Sequence, residues 1–416
     1  MDKYRITGGK LLSGEISVSG SKNSALAVLP AAMLISGKVK INNVPRLKDV
    51  DFMLKVLESL GVKYSFSNNS VEIDSRYLNN HVAAYDLIRK MRASIYVLSP
   101  LLHRFKKAEV SLPGGCAIGI RPVDLHIKGL RELGVEVQIE HGYIEAKLSK
   151  MKGKEVYLDF PSVGATCQLI IAGTLAEGRT VIFNAAKEPE IEDLGNFLNK
   201  AGAKISGLGS DEIVIDGVDS LHETEYSIIP DRIESGSFTI LGAALSENLV
   251  VKNVIPGHIE SLIDKLQESG AVISQGKNTL QIKKAVKPSG INIKTLPYPG
   301  FPTDLQAPIM AYLSVAEGFS VIKETIFENR FHHIPELNRL GADINTEGEA
   351  AYIKGVEVLE GAQVMASDLR GGFCLVLAGL IAGSETIINR IYHIDRGYED
   401  LETKLQNIGA AITRIE

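Results

Sequence analysis

Cys116 lies in the segment of this sequence that departs most from its surroundings, residues 112–125 (LPGGCAIGIRPVDL). The glycines and prolines of this segment predict an exposed, flexible loop, and such a loop can also act as a lid over a site. Arg121 follows the cysteine within the same loop, and a nearby cation favours the thiolate form of a cysteine. A cysteine in that setting can act as a nucleophile or deliver a proton.

The remaining cysteines and a histidine pair have simpler interpretations. Cys167 and Cys374 lie within stretches that carry no charge, so we predict that both are small core residues. His332 and His333 stand at the start of an amphipathic stretch, where an exposed pair is favoured over a set of metal ligands. The sequence contains neither a GxxxxGK[ST] phosphate loop nor a GxGxxG motif that opens a Rossmann unit. A reaction without a metal, a cofactor or nucleotide-hydrolysis machinery is therefore favoured.

Polar and charged residues gather where six uncharged helical stretches begin. The six starts are Ser21-Lys22-Asn23, 89–92 (RKMR), 162–164 (SVG), 231–234 (DRIE), Thr303-Asp304 and 368–370 (DLR). Helix N-termini carry partial positive charge and free N–H groups, so parallel helices with N-termini on one cleft suit an anion. Any one of these residues is equally well explained as an ordinary N-cap. The six together indicate a phosphate or carboxylate site, because four of them add the cations Lys22, Arg92, Arg232 and Arg370.

A unit of about 70 residues recurs along the chain, and each copy ends an amphipathic helix in a glycine before a strand. The closing glycines are Gly61, Gly134, Gly202, Gly270, Gly341 and Gly409. Glycine suits the left-handed position that closes a helix. In the first unit, periodicity predicts strands at 15–19, 38–41, 62–66 and 71–73, an uncharged helix within 23–36 and an amphipathic helix over 50–60. The unit is therefore βαβαββ.

The uncharged helices predict the domain organisation. A helix that is apolar on all sides is buried on all sides, so we expect these helices inside, with amphipathic helices and strands around them. Six such helices exceed what one core holds, which favours two domains of three units each. The chain is predicted to cross between them near Gly20 and near 229–231.

Composition places the protein among soluble globular proteins. Of 416 residues, 45% are hydrophobic and 23% charged, and the net charge of −5 gives no reason to expect a nucleic-acid or membrane-surface partner. The N-terminus lacks the apolar core of a signal peptide, and no uncharged apolar run reaches the roughly 18–20 residues of a membrane span. Three widely spaced cysteines fit a reducing compartment. We therefore expect a cytoplasmic protein.

Several of these motifs together resemble one enzyme family, the UDP-N-acetylglucosamine enolpyruvyl transferases (1-carboxyvinyltransferases). The resemblance runs from Tyr4 to Ile415, and its motifs are 19–23 (SGSKN), 90–94 (KMRAS), 112–125, 162–166 (SVGAT), 230–234 (PDRIE), 301–304 (FPTD), 327–331 (FENRF), 366–370 (ASDLR) and 392–398 (YHIDRGY). It implies a two-domain inside-out α/β barrel, which agrees with six βαβαββ repeats, three per domain. It also implies that residues 1–19 join 230–416 in a C-terminal, catalytic domain, while 20–229 form the other domain.

The resemblance implies transfer of the enolpyruvyl group of phosphoenolpyruvate to the 3′-hydroxyl of UDP-N-acetylglucosamine, with release of phosphate, by addition and then elimination. This is the first committed step of peptidoglycan synthesis. Asp304 would be the base and Cys116 the acid, with Lys22 and Arg396 also catalytic. The residues implied for phosphoenolpyruvate are Lys22, Asn23, Arg121, Arg370 and Arg396. Those implied for the nucleotide sugar are Asn23, Arg92, Arg121, Pro122, Val123, Asp124, Leu125, Ser162, Val163, Gly164, Asp304 and Ile326.

The same resemblance implies small-molecule partners only, no metal or cofactor, and attack of the loop cysteine on the antibiotic fosfomycin. It leaves the oligomeric state open, with a monomer compatible. Two positions depart from the family pattern. Phe160-Pro161 precede Ser162 where polar residues are common, which leaves part of the uridine contact open. Gly371-Gly372 follow Arg370, and glycine is costly inside a helix, so we expect a looser helix start there.

Two alternative functions stay open from the residues. One is 5-enolpyruvylshikimate-3-phosphate synthase, which shares the fold and the donor, although the Cys116 loop and the 121–125 run argue against it. The other is a repeat-built protein that binds a nucleotide sugar without reacting. The intact set of Lys22, Cys116, Asp304 and Arg396 argues against that function.

Overall fold

A computed structural model describes residues 2–83, 91–112 and 123–416, apart from the side chain of Arg92. Two compact units divide these residues. The discontinuous unit contains residues 2–19 and 230–416, and the inserted unit contains 20–229. Each unit has its own cluster of buried hydrophobic side chains. None of the described helices combines the length and apolar character that a membrane span requires.

Two strands near the N-terminus belong to the discontinuous unit, β1 (Lys3–Thr7) and β2 (Leu12–Ser17). The strands of the inserted unit are β3 (Lys38–Asn42), β4 (Lys63–Ser67), β5 (Ser70–Asp74), β6 (Val82–Ala83), β7 (Lys107–Ser111), β8 (Glu136–Glu140), β9 (Tyr143–Lys147), β10 (Glu155–Tyr157), β11 (Arg179–Phe183), β12 (Lys204–Ser206), β13 (Glu212–Asp216) and β14 (Thr224–Ser227). They form three four-stranded sheets with the orders β14-β3-β5-β4, β6-β7-β9-β8 and β10-β11-β13-β12.

The helices of the inserted unit are α1 (Lys22–Ala31), α2 (Lys48–Ser59), α3 (Leu98–Phe105), α4 (Asp124–Glu132), α5 (Val163–Thr174) and α6 (Pro189–Lys200). Short 3-10 helices span Ala32–Leu34, Ser75–Tyr77 and Arg92–Val97. The 3-10 turn Arg92–Val97 contacts both α1 and α5, and α3 contacts α5. These segments, which contain the uncharged stretches of the sequence, pack on one another, whereas α2, α4 and α6 bury one face only.

The discontinuous unit repeats the plan. Its further strands are β15 (Ser246–Lys252), β16 (Val272–Gln275), β17 (Thr279–Lys283), β18 (Asn292–Lys294), β19 (Phe319–Lys323), β20 (Asp343–Glu347), β21 (Ala350–Lys354), β22 (Gln363–Met365), β23 (Glu385–Asn389) and β24 (Ala411–Ile415). Its sheets have the orders β16-β17-β15-β2, β18-β19-β21-β20 and β22-β23-β1-β24. Each of the six sheets has one parallel pair at one edge, and its other neighbours are antiparallel.

The helices of the discontinuous unit are α7 (Arg232–Leu245), α8 (Glu260–Glu268), α9 (Gln306–Leu313), α10 (Ile334–Arg339), α11 (Leu369–Ile381) and α12 (Leu401–Asn407). Its 3-10 helices span Pro256–Ile259, Thr303–Leu305 and Ile391–Arg396. The three uncharged helices α7, α9 and α11 contact one another, and almost all of their residues are buried. The prediction of uncharged helices inside and strands around them is confirmed, and the fold is an inside-out α/β barrel in each unit.

The six closing glycines all adopt the left-handed backbone conformation predicted for them. Their φ angles lie between 88° and 104°, a region that side chains with a Cβ rarely occupy. The turn that joins β4 to β5 also uses the left-handed region, since Asn68 and Asn69 have φ angles of 49° and 55°. These features were predictable because each depends on a few consecutive residues.

The first predicted strand belongs to a different repeat from the one in which periodicity placed it. We placed residues 15–19 in the first repeat, but β2 pairs in parallel with β15 of the discontinuous unit. The parallel neighbour of β3 is instead β14, which lies nearly 200 residues further along the chain. Alternation of apolar residues predicts that a strand exists, but it does not specify the neighbouring strand.

The chain crosses between units at two segments. On the inserted unit, the Ser21 N–H donates to the Ile229 carbonyl at 2.8 Å. On the discontinuous unit, the Asp231 N–H donates to the Ser19 carbonyl at 2.9 Å. The two crossing segments are therefore hydrogen-bonded to each other within each unit.

Candidate active site

Asp304 lies in the turn Thr303–Leu305 that leads into α9, and two guanidinium groups hold its carboxylate. Arg330 Nη2 donates to Oδ1 at 2.5 Å, and Arg370 Nη2 donates to Oδ2 at 3.1 Å. The two arginine side chains are only 6% and 5% exposed, whereas that of Asp304 is 27% exposed. The carboxylate therefore lies nearer the solvent than the cations that it neutralises.

Arg370 is fixed at the start of α11. Asp368 caps this helix by accepting hydrogen bonds from the backbone N–H groups of Arg370 and Gly371, at 2.9 and 3.1 Å. Arg370 Nη1 donates to the Tyr398 hydroxyl at 3.3 Å, and its buried Nε has no hydrogen-bond partner among the described residues. Burial opposes the charge of this guanidinium, but the carboxylates of Asp304 and Asp231 and the Tyr398 hydroxyl hold its pKa above the ordinary value.

Arg330 is tied to a buried carboxylate by a short chain of hydrogen bonds. Its Nη1 donates to Thr303 Oγ1 at 2.8 Å, and that hydroxyl donates to Glu324 Oε2 at 2.8 Å. The other oxygen of Glu324 accepts from the backbone N–H of Ile326 at 2.9 Å. Glu324, which is 2% exposed, therefore links the predicted site residue Ile326 to the turn that holds Asp304.

Tyr398 joins this network to α7. Its hydroxyl lies 2.8 Å from Ser237 Oγ, and its ring stacks on Phe373 with 4.7 Å between centroids. Burial raises the pKa of Tyr398 to about 12, so its hydroxyl stays protonated. Arg396, another predicted site residue, ends the turn Ile391–Arg396 two residues before this tyrosine.

The starts of all three uncharged helices meet in the discontinuous unit. Asp231 caps α7 by accepting from the Ile233 and Glu234 N–H groups at 2.8 and 3.0 Å. The charge of this carboxylate acts on Arg370 of α11, which contacts Asp304 before α9. The structure thus brings Asp304 and Arg370 together, with Ile326 and Arg396 on neighbouring segments of the same unit.

In the inserted unit, Lys22 and Asn23 are the first residues of α1. Ser21 caps this helix by accepting from the Ser24 N–H at 3.2 Å. Lys22 Nζ lies 3.5 Å from Asp49 Oδ2 in the first turn of α2, and both side chains are largely buried. Lys22 is therefore a cation held at a helix N-terminus.

The segments predicted to bind the nucleotide sugar lie next to one another in the inserted unit. Ser162 caps α5 by accepting from the Ala165 N–H at 3.3 Å, which places Val163 and Gly164 in the first turn. A Cβ on Gly164 would lie 2.8 Å from His126 Nε2. His126 belongs to α4, which begins with Asp124 and Leu125 directly after the buried Val123.

Arg92 begins the third of these segments, the 3-10 turn Arg92–Val97. Tyr96 of this turn faces the His126 ring at 6.4 Å between centroids, so the turn lies beside α4. Cys116, Arg121 and Pro122 lie outside the described residues, as does the side chain of Arg92.

Sequence reasoning did not assign a role to Arg330, Glu324 or Tyr398. A signal existed for Arg330 and Tyr398, because both stand in motifs that carry the family resemblance. A signal also existed for Glu324, because the alternation of the buried residues Ser320 and Ile322 continues to it and points its carboxylate inward. A charged residue at a core position of a strand needs a partner.

One prediction about side chains near the site was wrong. His333 was expected to be exposed, but it is 1% exposed, with Nε2 3.3 Å from Met310 Sδ, because the helix start turns it inward beneath Asp368. Only its neighbour His332 is exposed. At Gly371-Gly372, where a looser start of α11 was expected, a Cβ on Gly372 would lie 2.6 Å from Ile394 Cγ1. These glycines allow close packing.

The predicted burial of two cysteines is confirmed. Cys167 in α5 and Cys374 in α11 are 1% and 0% exposed. The other departure from the family pattern, Phe160, is 45% exposed, and its carbonyl accepts from the Ser162 N–H at 2.7 Å.

Sequence comparison relates the whole chain to known proteins. The sequence model of the family described as EPSP synthase (3-phosphoshikimate 1-carboxyvinyltransferase) matches residues 6–405. The UDP-N-acetylglucosamine 1-carboxyvinyltransferases of Idiomarina loihiensis and Geobacter metallireducens are each 51% identical to this chain, with both sequences fully covered. The protein of the same name from Histophilus somni is 52% identical, with 100% of this chain and 98% of that protein covered.

Solved structures share the fold. The enolpyruvyl transferase NikO from Streptomyces tendae superposes with a TM-score of 0.90 at 24% identity, covering 99% of this chain and 98% of that one. An EPSP synthase from Acinetobacter baumannii gives a TM-score of 0.78 at 19% identity, with both chains fully covered. Half of the residues are identical to those of the named relatives along the full length, so the chain belongs to the family of UDP-N-acetylglucosamine 1-carboxyvinyltransferases, within the wider EPSP synthase family.

Proposed function

We propose that this protein transfers the enolpyruvyl group of phosphoenolpyruvate to the 3′-hydroxyl of UDP-N-acetylglucosamine and releases phosphate, as the names of its relatives indicate for them. The observation that carries the proposal is the placement of Asp304 against two buried guanidinium groups. A carboxylate can accept the proton of the sugar hydroxyl, and guanidinium groups bind carboxylate or phosphate through paired hydrogen bonds.

In the addition step, the sugar hydroxyl gives its proton to Asp304 and its oxygen forms a bond to C2 of phosphoenolpyruvate. Cys116 delivers a proton to C3. In the elimination step, the Cys116 thiolate takes a proton back from C3, and the bond from C2 to the phosphate oxygen breaks, which restores the double bond. Asp304 gives its proton to the departing phosphate, so both groups return to their starting states. Fixed cations stabilise the negative charge of the phosphate and carboxylate throughout, without reorganising during the reaction.

The residues of both units divide these tasks in our proposal. Lys22, Asn23, Arg121, Arg370 and Arg396 bind phosphoenolpyruvate, and Arg330 joins them because it holds the same carboxylate as Arg370. The nucleotide sugar is bound by Asn23, Arg92, Arg121, Pro122, Val123, Asp124, Leu125, Ser162, Val163, Gly164, Asp304 and Ile326. The two units serve as the two domains, and the cytoplasmic location expected from the cysteine content belongs to the same proposal.

Phosphate release tests this function directly. We expect release only when phosphoenolpyruvate and UDP-N-acetylglucosamine are both present. Lys22→Ala and Arg396→Ala should lower this activity about ten- to a hundredfold, because a charge-assisted contact to a buried anion contributes roughly 1.5–3 kcal/mol. Lys265→Ala on α8 removes the same charge from a side chain that is 32% exposed, and this matched control should retain the parent activity.

A second candidate function follows from the family description, which names 3-phosphoshikimate as the acceptor. Release of phosphate with shikimate 3-phosphate in place of the nucleotide sugar would favour it and would contradict our proposal. The high identity to the named relatives, against 19% to the EPSP synthase structure, favours the nucleotide sugar.

A further inference from the structure

Asp304 occupies two of the guanidinium groups that our proposal assigns to the anionic donor, those of Arg330 and Arg370. Its Oδ1 accepts from Arg330 and its Oδ2 accepts from Arg370, at 2.5 and 3.1 Å. Each carboxylate oxygen therefore has a charged donor, and each guanidinium has a carboxylate partner. Both oxygens of the base accept from a cation in this arrangement, and the anion site that the two cations form is already filled.

We infer that Asp304 is an internal occupant of the donor's anion site, and that the carboxylate or phosphate of the donor displaces it from Arg330 and Arg370. The displaced carboxylate is then free to accept the proton of the sugar hydroxyl. This inference rests on the proposed function, and it makes the two arginines positioning residues for the base as well as ligands of the donor. No covalent bond changes in the exchange, because one anion replaces another on the same two cations.

The surroundings fix the arginines and leave Asp304 the more mobile partner. Arg330 is held by Thr303, and Arg370 is held by Tyr398. Both guanidinium groups are nearly buried, whereas the Asp304 side chain is 27% exposed and has a short stem. An arriving anion therefore reaches the carboxylate first, and rotation of this one side chain uncovers the two cations.

In the exchange one anion replaces another, and one further N–H group of the arginines becomes available to the incoming anion. Two buried guanidinium groups without an anion would repel each other, so the site favours one occupant at all times. Arg370 Nε is buried without a hydrogen-bond partner among the described residues. An anion with three or more acceptor oxygens can engage that N–H group in addition to the Nη groups, which a single carboxylate does not achieve here.

The order of events in the reaction follows from this exchange. Before the donor binds, Asp304 is paired and the sugar hydroxyl keeps its proton. After the donor binds, the carboxylate is released beside the substrate whose proton it must accept. Donor binding and activation of the base are thus the same event.

The test measures anion binding in Asp304→Asn without any nucleotide sugar. The asparagine keeps the shape of the side chain but removes the negative charge that competes for the arginines. Thermal unfolding of parent and variant is followed against increasing inorganic phosphate, and in parallel against phosphoenolpyruvate. We expect the variant to unfold at a lower temperature than the parent without added anion, because two buried cations have lost their partner. Addition of phosphate or of phosphoenolpyruvate should reduce or abolish this difference in unfolding temperature.

The expected apparent affinity of the variant for either anion is at least about tenfold higher than that of the parent, the factor set by one charge-assisted hydrogen bond. Asp264→Asn removes the same charge from an exposed position of α8 and is the matched control. It should bind both anions as the parent does.

Equal or weaker anion binding in Asp304→Asn, absence of binding in both proteins, or an equal gain in Asp264→Asn would each overturn the inference. The experiment contains no acceptor and no turnover, so its failure is distinct from failure of the proposed function. An enzyme that releases phosphate only with both substrates, but whose Asp304→Asn variant shows no gain in anion affinity, would retain the function and lose this exchange.

Discussion

At the scale of single residues, the surroundings of Cys167 and Cys374 suppress their chemistry. Burial raises the pKa of Cys167 to about 12 and raises that of Cys374 well above its ordinary value. A thiol that stays protonated at neutral pH is a poor nucleophile. Neither residue can therefore compete with an exposed cysteine for an electrophile.

We predict that fosfomycin alkylates Cys116 and leaves the two buried cysteines unmodified. Peptide mass mapping after treatment in the presence of UDP-N-acetylglucosamine measures this directly. Cys116→Asp should resist the drug and retain some activity, because a carboxylic acid can also deliver a proton. Cys116→Ala should lose much more activity. An adduct on Cys167 or Cys374 without one on Cys116 would contradict the assignment.

His333 makes the discontinuous unit sensitive to acid. Burial lowers its pKa from the ordinary 6.5 to about 4, while Asp368 acts in the opposite direction and Arg330 and His332 add to the lowering. Because the folded pKa lies below the unfolded one, the stabilisation is complete above pH 6.5 and is lost as the pH falls toward 4.

We predict that His333→Gln loses less stability than the parent between about pH 7 and pH 4, since glutamine does not titrate there. Each pKa unit corresponds to about 1.4 kcal/mol. Between pH 7 and pH 4, the unfolding temperature of the parent should therefore fall several degrees further than that of His333→Gln. Circular dichroism across this pH range provides the measurement. The exposed His332→Gln should follow the parent, and an identical acid loss in His333→Gln would exclude His333 as the cause.

At the scale of elements, the repeat reuses one tight junction. In three sheets, one of the two central strands (β13, β21 or β1) is followed directly by a glycine. This glycine contacts a backbone carbonyl just after the C-terminus of a buried helix. The pairs are Gly217 with Ala176, Gly355 with Ala316 and Gly8 with Ala382. A Cβ on any of these glycines would overlap the carbonyl oxygen. Glycine is therefore required for strand and helix end to approach this closely.

We predict that Gly355→Ala destabilises the protein by at least about 2 kcal/mol, because both sides of the overlap are backbone. The control is Gly257→Ala in the turn Pro256–Ile259, where no atom lies within 4 Å of the added Cβ. The control should change stability by less than about 0.5 kcal/mol. Denaturant titration of both variants measures the difference, and equal midpoints would show that the junction relaxes without cost.

Elements set by local sequence were predictable, and those set by distant contacts were not. The closing glycines and the apolar face of the amphipathic helix α2 each depend on a few neighbouring residues. The 3-10 starts at Arg92–Val97 and Thr303–Leu305 were not predicted, because no local signal distinguishes them from the first turn of an α-helix.

The residues of the candidate site were predictable where a motif marks them, but their contacts were not. Asp304 and Arg370 were predicted from their motifs, but their ion pair was not, since it depends on which repeats meet. Arg330 and Glu324 were missed for that reason. Each gains its role only from a partner in the folded unit.

At the scale of the whole molecule, the two units differ in how they depend on the chain ends. The described residues between 20 and 229 all belong to the inserted unit, and its three sheets use strands from this range alone. The discontinuous unit needs β1 between β23 and β24, and needs β2 beside β15.

We predict that residues 20–229 alone unfold cooperatively, whereas residues 230–416 alone do not, because two of their three sheets lack a strand. Lys3 pairs with Ile415, so a short turn can join the C-terminus to residue 2. The control is therefore 230–416 followed by 2–19 through such a turn, and it should regain cooperative unfolding. Thermal unfolding by circular dichroism compares the three fragments. Cooperative unfolding of 230–416 at the temperature of the joined fragment would show that β1 and β2 are dispensable.

The position of β1 also has a consequence for synthesis of the protein. Residues 3–7 are synthesised before the inserted unit, whereas both strands that flank them are synthesised after it. The nascent chain therefore carries β1 without partners while the inserted unit is completed, and Lys3 and Arg5 on this short strand discourage its pairing with other chains. A premature stop within the final strand would remove one neighbour of the first. Loss of β24 therefore also destabilises β1, although the whole inserted unit separates the two strands in the sequence.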